Sequence, residues 1–337
     1  MKVNTINTQA QSGTIQPAFL QLRSHLETII IGQNALIDRL LVSLLTGGHI
    51  LLEGPPGLAK TTAVKAIASG VHASFQRIQF TPDLMPSDLT GGEIYNPETR
   101  KFEFIQGPVF NQIVLADEIN RAPPKIQSAL LEAMQEHQVT VNGITRHLPE
   151  LFIVLATQNP LEQSGTYPLP EAQLDRFLLH VKLDYPCAEN ELAILRKDRD
   201  NFQAALSETE NNHKEQSLLT PDDVFAARRQ VAAVHIDERL EKYIVDIIAS
   251  TRDIGSVNKA LSGYVEYGAS PRASLALYKS SSAMAFLRGR DFVTPEDIHE
   301  VVYDVLRHRI ILSFSAISET ISKDQLIAEI INYLPVP

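Results

Sequence analysis

The residues best suited to chemistry begin with Gly54-Pro55-Pro56-Gly57-Leu58-Ala59-Lys60-Thr61-Thr62, which stands between an apolar stretch, HILLE, and an Ala-rich helical one, AVKAIA. A glycine-bearing turn between strand and helix, ending in Lys-Thr, has the make-up of a phosphate cradle. Gly57 can take the left-handed backbone that turns successive N–H groups inward, Lys60 can reach β- and γ-phosphates, and Thr61 can hold Mg2+. Ala59 departs from the pattern, because GxxxxGK[ST] has its last glycine there. A plain Gly/Pro turn would account for the glycines, but not for Lys-Thr-Thr in register behind them.

Three further clusters could complete such a site. Ile113-Val114-Leu115-Ala116-Asp117-Glu118 is an apolar run ending in two acids. At a strand's carboxyl edge beside a phosphate loop, Asp117 can orient a Mg2+ shell and Glu118 can polarise the attacking water. Ala156-Thr157-Gln158-Asn159-Pro160 closes the next apolar run, where Asn159 could orient that water or merely form an Asn-Pro turn. Leu174-Asp175-Arg176-Phe177 ends a short helical stretch in an arginine that either pairs with an acid of its own chain or reaches a neighbouring subunit's γ-phosphate.

The elements that must position these groups follow from hydrophobic patterning. From His49 to about Tyr185, short apolar runs (HILLEG, SFQRIQF, NQIVLADE, LFIVLATQN, LLHVKLDY) alternate with helix-like stretches, which predicts an α/β unit with a parallel sheet covered on both faces. Before it, Phe19 to Thr46 has helical spacing broken at Ile31-Gly32-Gln33. Two segments interrupt the alternation and predict β-hairpins: Gly91 to Phe104, around an Asn-Pro turn, and Gln138 to Arg146, with Asn142-Gly143 between β-branched residues. After Pro186 the signals are helical only, including the caps at Thr220-Pro221-Asp222-Asp223 and Thr294-Pro295-Glu296-Asp297. The expected organisation is a polar tail over 1–18, an α/β nucleotide-binding domain over 19–186 and an all-helical lid over 187–337, with a polar, exposed loop at 207–217.

Composition narrows the function classes. The 337 residues are 44% apolar and 21% charged, ordinary for a globular chain. No run approaches the roughly 18 uncharged apolar residues of a membrane span, and the first residues carry no apolar signal core, so a cytoplasmic protein is expected. Cys187 is the only cysteine, which excludes an intramolecular disulfide or a cysteine metal site. A formal charge of −10 disfavours a duplex-binding protein.

Taken in order, these motifs resemble the AAA+ ATPases and, within them, the MoxR group of the helix-2-insert branch. The resemblance runs from Ile31-Gly32-Gln33 to about Leu312 and is carried by GPPGLAKTT, LADEINRAPPKIQSALLEAMQEHQVTV, ATQNP, LPEAQLDRF and GASPRA. In that group an alanine in the phosphate loop is usual. The resemblance implies an ATPase with a P-loop domain, two hairpin insertions and a lid, using ATP and Mg2+. It implies that Lys60 and Thr61 serve phosphate and Mg2+, Asp117 serves Mg2+, Glu118 is the base and Asn159 the first sensor. Arg176 would act in trans on a neighbour's ATP, Arg272 of GASPRA would be the second sensor, and Ile31, Gly32 and Gln33 would flank adenine. Arg272 and Arg121 could act in cis or in trans. A trans arginine implies a ring, expected to be a hexamer.

The leading expectation is an ATP-driven, chaperone-like remodelling, assembly or metal-insertion factor for a separate protein client, as the resemblance suggests, with a von Willebrand factor A domain protein as one possible partner. Two alternatives stand beside it. A nucleic-acid motor would place Lys/Arg on its hairpins, whereas here Arg100, Lys101 and Arg146 are mixed with Glu93, Glu98 and Glu103. Tyr95, Phe102 and Phe104 suit a polypeptide grip at least as well. A slow ATP-dependent switch or scaffold is the other.

Overall fold

The computed structural model describes residues 15–160, 165–206 and 218–337. The expected loop at 207–217, and most of the expected tail, lie outside the described residues. Helices α1 (Gln16–Ile29) and α2 (Asn34–Thr46) lead into strand β1 (Ile50–Glu53). The break between them falls at Gly32, whose φ of 76° lies in the left-handed region.

The chain then runs through α3 (Lys60–Gly70), β2 (Phe75–Gln79), α4 (Pro86–Thr90), β3 (Gly91–Asn96), β4 (Lys101–Gln106), β5 (Ile113–Asp117), α5 (Pro124–Glu136), β6 (Gln138–Val141), β7 (Ile144–His147), β8 (Ile153–Gln158), α6 (Glu171–Leu174) and β9 (Leu179–Lys182). The five apolar runs become one parallel sheet of order β2-β5-β8-β1-β9, and the two turn-centred segments become the hairpins β3/β4 and β6/β7. Asn142 and Gly143 both have positive φ, as a two-residue type I′ turn requires.

Alternation along the strands divides the sheet's burden between two cores. Ile50, Leu52, Ile113, Leu115, Ile153 and Leu155 belong to one, packed with α1, α2, α3 and helices of the lid. Leu51, Val114, Ala116, Val154 and Ala156 belong to the other, against Ile126, Leu130 and Met134 of α5. Burial on both faces explains why these strands read as unbroken apolar runs.

The lid comprises α7 (Ala188–Leu206), α8 (Pro221–Ala232), α9 (Glu238–Arg252), α10 (Ile254–Val257), β10 (Val265–Tyr267), α11 (Pro271–Leu287), α12 (Pro295–Leu306), β11 (Ile311–Leu312), α13 (Phe314–Ser318) and α14 (Lys323–Tyr333). It is helical, with α8 and α12 started by capping boxes at Thr220 and Thr294. Its character is not all-helical, for it also holds the antiparallel ribbon β10/β11, whose strands are too short to leave a pattern in sequence. Buried charges clamp the lid to the sheet. Arg39 of α2 donates to Asp304 of α12 at 2.6 Å, Arg307 donates to the His180 carbonyl of β9 at 2.9 Å, and Arg309 pairs with Asp175 at 2.7 Å.

Two histidines are sealed in the interior. His49 Nδ1 accepts the Val154 N–H at 3.0 Å, which leaves Nε2 to donate to the Met134 carbonyl at 3.2 Å. Burial pulls the pKa of His49 down to about 4, and burial pulls His308 well below its ordinary value. Because the folded state disfavours their charged forms, the stability present above an unfolded-state pKa of 6.5 is lost as pH falls toward 4. For His49 alone the loss is about 3 kcal/mol. Melting temperature should therefore drop between pH 7 and pH 5; a melting temperature flat from pH 7.5 to 4.5 would contradict it.

Candidate nucleotide site

Strand β1 delivers the chain to the loop at Gly54, where a Cβ would meet the Leu183 carbonyl at 2.7 Å. Gly57 sits at φ 85° with open space around it. Ala59, the residue before α3, also lies in the left-handed region, at φ 53° and ψ 21°. It thus adopts the backbone conformation that suits the glycine it replaces, at a cost of about 1–2 kcal/mol for an L-residue. Ala59→Gly is expected to raise the stability of nucleotide-free protein by up to about 1 kcal/mol, after the added freedom of glycine in the unfolded chain is counted. Thermal denaturation tests this, and a less stable variant would refute the strain.

Lys60 Nζ donates to the Gly54 carbonyl at 2.6 Å, so the ammonium is folded over its own loop. Burial lowers its pKa, while Asp117, Glu118 and Glu53 oppose the shift. Parallel pairing of β5 with β8 brings Asp117 beside Thr157, whose Oγ1 donates to Asp117 Oδ1 at 2.5 Å and accepts the Glu118 N–H at 2.9 Å. Glu118 sits at φ 56° and ψ 50°, a left-handed position uncommon for a non-glycine residue. Its Oε2 accepts from Gln79 Nε2 at 2.6 Å and pairs with Arg121 Nη1 at 3.1 Å.

These groups enclose one cavity of about 390 Å3, lined by Pro56 to Thr62 with Arg77, Gln79, Asp117, Glu118, Thr157 and Asn159. A second, of about 670 Å3, lies on the other side of the loop and shares Pro56, Gly57, Leu58, Ala59 and Thr62 with it. Ile31 and Gln33 line this larger space together with Tyr185, Pro186 and residues of α7. The smaller cavity is polar and cationic at its loop, and the larger has more apolar surface, from Ile29, Ile30, Ile31 and Leu58, beside polar groups of α7: the division suits a phosphate tail and a base on either side of one loop. Gly54 and Pro55 precede both linings, and Gly32 lies between two lining residues.

The donor set fits Mg2+. Thr61 and Asp117 offer hard oxygens, and this ion takes one or two such ligands and fills its shell with water and phosphate oxygens. A cation already stands at the carboxylate, for Arg77 Nη2 lies 2.6 Å from Asp117 Oδ2. Among the described residues no cluster of three or more His, Cys, Asp or Glu side chains would hold a metal without such help.

Arg176 and Arg272 are elsewhere. Arg176 Nη1 donates to the Leu131 carbonyl at 2.8 Å, and among the described residues it forms no ion pair. The adjacent acid is engaged otherwise: Asp175 accepts from Arg309 at 2.7 Å and from Ser270 at 3.0 Å. Arg272 Nη1 lies 3.8 Å from Asp175, with its side chain half exposed. Both arginines line a cavity of about 130 Å3 with His49, Met134, Gln135 and Asp175, and neither lines the phosphate-side space. The sequence-derived set is thus divided into two groups, with Lys60, Thr61, Asp117, Glu118 and Asn159 in one and Arg176 and Arg272 in the other.

Sequence reasoning missed Arg77, Gln79, Thr157 and Tyr185. The signal for the first two was the polar alternation of Arg77-Ile78-Gln79 within a run otherwise read as apolar. Its meaning depends on the β2/β5 register, which sets Gln79 opposite Asp117.

Residues 49–179 match the model of the ATPase family associated with various cellular activities (AAA), and residues 258–330 match the AAA lid domain. The chain is 41% identical over 329 residues to Chaperone MoxR1 of Mycobacterium tuberculosis, covering 97% of this chain and 84% of that one. It is 43% identical to the uncharacterized protein YeaC of Bacillus subtilis, covering 96% of each. A solved structure of a candidate ATPase from Cytophaga hutchinsonii superposes with a TM-score of 0.88 at 46% identity, covering 96% of both chains.

Proposed function

The chain belongs to the MoxR group of AAA+ ATPases, and from that membership we propose that it hydrolyses ATP as a ring, each site completed by its neighbour, to remodel a separate polypeptide. Membership carries nucleotide binding and chaperone-like ATPase character in general. The ring and the client are our reading. The observation that carries it is the division just described: the phosphate pocket holds loop, acids and sensor amide, while Arg176 and Arg272 share a different cavity of the same chain.

In this scheme Lys60 and the loop amides bind the phosphates, and Thr61 and Asp117 would hold Mg2+, which would supply charge neutralisation for phosphoryl transfer. Glu118, released from Gln79 and Arg121, orients and deprotonates water, with Asn159 beside it. Arg176 of the neighbour stabilises charge on the transferred phosphoryl group, and Arg272 acts with it across the same junction.

A polypeptide client is supported by the first hairpin, where Ile94, Tyr95, Phe102 and Ile105 are exposed and the Tyr95 and Phe102 rings meet edge-on at 5.5 Å. Phe104 is covered instead, with the Arg146 guanidinium 3.7 Å from its ring centre, and takes no part in that grip. The test is protein capture with Glu118→Gln in ATP. Binding should persist while hydrolysis falls about 100- to 10,000-fold, and the trapped assembly should enrich a client. Hydrolysis at the native rate would overturn the base assignment, and enrichment of no protein would overturn the remodelling role.

A further inference from the structure

We propose that Arg77 is a positioning residue that competes with Mg2+ for Asp117, holding the acid pair closed until the metal arrives with its nucleotide. This rests on the metal reading above and adds to it a part for the edge strand β2. Arg77 and Gln79 are two residues apart and therefore share one face of that strand. Arg77 Nε and Nη2 both donate to Asp117 Oδ2, at 3.0 and 2.6 Å. The same Nη2 donates to Gln79 Oε1 at 2.9 Å, and Gln79 Nε2 donates to Glu118 Oε2 at 2.6 Å. One chain of hydrogen bonds thus joins metal ligand and base, and it begins at a guanidinium.

Both Asp117 oxygens are engaged by donors of the protein, since Thr157 Oγ1 holds Oδ1. A metal shell drawing on this carboxylate needs an oxygen that Arg77 now occupies. Two cations at one carboxylate also repel, so binding of one weakens binding of the other. Arg77 can leave at little cost. Its side chain is 50% exposed, whereas that of Asp117 is 16% exposed, and half-exposed ion pairs are weak. The pair is not needed to hold the strand, because β2 is joined to β5 by backbone pairing from Phe75 opposite Ile113 to Gln79 opposite Asp117. Departure of Arg77 would also remove the partner of Gln79 Oε1 and loosen the amide that restrains Glu118, so metal entry would free the base.

The experiment is a Mg2+ titration of the full chain bound to a fluorescent ADP, read as the Mg2+ midpoint of the nucleotide signal. It compares the native chain with Arg77→Met, Arg77→Lys, Asp117→Asn and the Arg77→Met/Asp117→Asn double variant. Arg77→Met should lower the midpoint about 2- to 5-fold, the range expected for loss of a screened competitor. Arg77→Lys, which keeps the charge, should stay near the native midpoint. Asp117→Asn should raise the midpoint, and adding Arg77→Met to it should change nothing further. A midpoint unchanged or raised by Arg77→Met, with Asp117→Asn still raising it, would overturn the competition and leave the metal site standing. A midpoint indifferent to Asp117→Asn would overturn both.

Discussion

An Arg176→Ala chain is expected to bind nucleotide as the native chain does and to lose about 1,000-fold or more of its turnover, the effect typical of an arginine supplied to phosphoryl transfer from outside the pocket. Binding should survive because Arg176 lines neither cavity around the phosphate loop. The fold should survive as well, since the side chain gives up one hydrogen bond, to the Leu131 carbonyl, worth about 1 kcal/mol. Nucleotide affinity by fluorescence titration, set beside steady-state hydrolysis across protein concentrations, separates the two effects. Native turnover in Arg176→Ala would remove this residue from the mechanism.

Lys60→Ala acts at the opposite end of the reaction and should abolish nucleotide binding. The ammonium is half buried, drawn toward Asp117, Glu118 and Glu53, and rests 2.6 Å from the Gly54 carbonyl where phosphate oxygens would compete for it. Removing one partner of a desolvated charge pair costs about 2–5 kcal/mol. Affinity should therefore fall at least about 30-fold. Equilibrium binding of a fluorescent ATP analogue is the check, and an affinity within two-fold of native would exclude the loop as the phosphate site.

Residue types in order made much of this molecule legible. GPPGLAKTT announced a turn between strand and helix, the five apolar runs became the five strands of the sheet, and Asn142-Gly143 closed a hairpin. Such features are local, decided within a few residues by backbone conformation and alternation. What stayed hidden depends on residues distant in the chain. The engagement of Asp175 by Arg309, 134 positions away, decides that Arg176 keeps no acid of its own. The union of Arg77 with Asp117 depends on strand register, and the strain at Ala59 was invisible because composition says nothing about φ. Read as a sequence, that alanine is a missing glycine; in three dimensions Ala59 holds the glycine's conformation.

The central claim, that one working site is assembled from two chains, is tested most directly by mixing. Lys60→Ala has an intact arginine face and a dead pocket; Arg176→Ala has the reverse. Each alone should be inactive. In an equimolar mixture about a quarter of junctions would join an intact pocket to an intact arginine if head-to-tail contacts form at random, and ATP hydrolysis should recover to about that fraction of native turnover. A mixture that stays inactive while mass spectrometry of the intact assemblies shows both variants in the same rings would contradict the account.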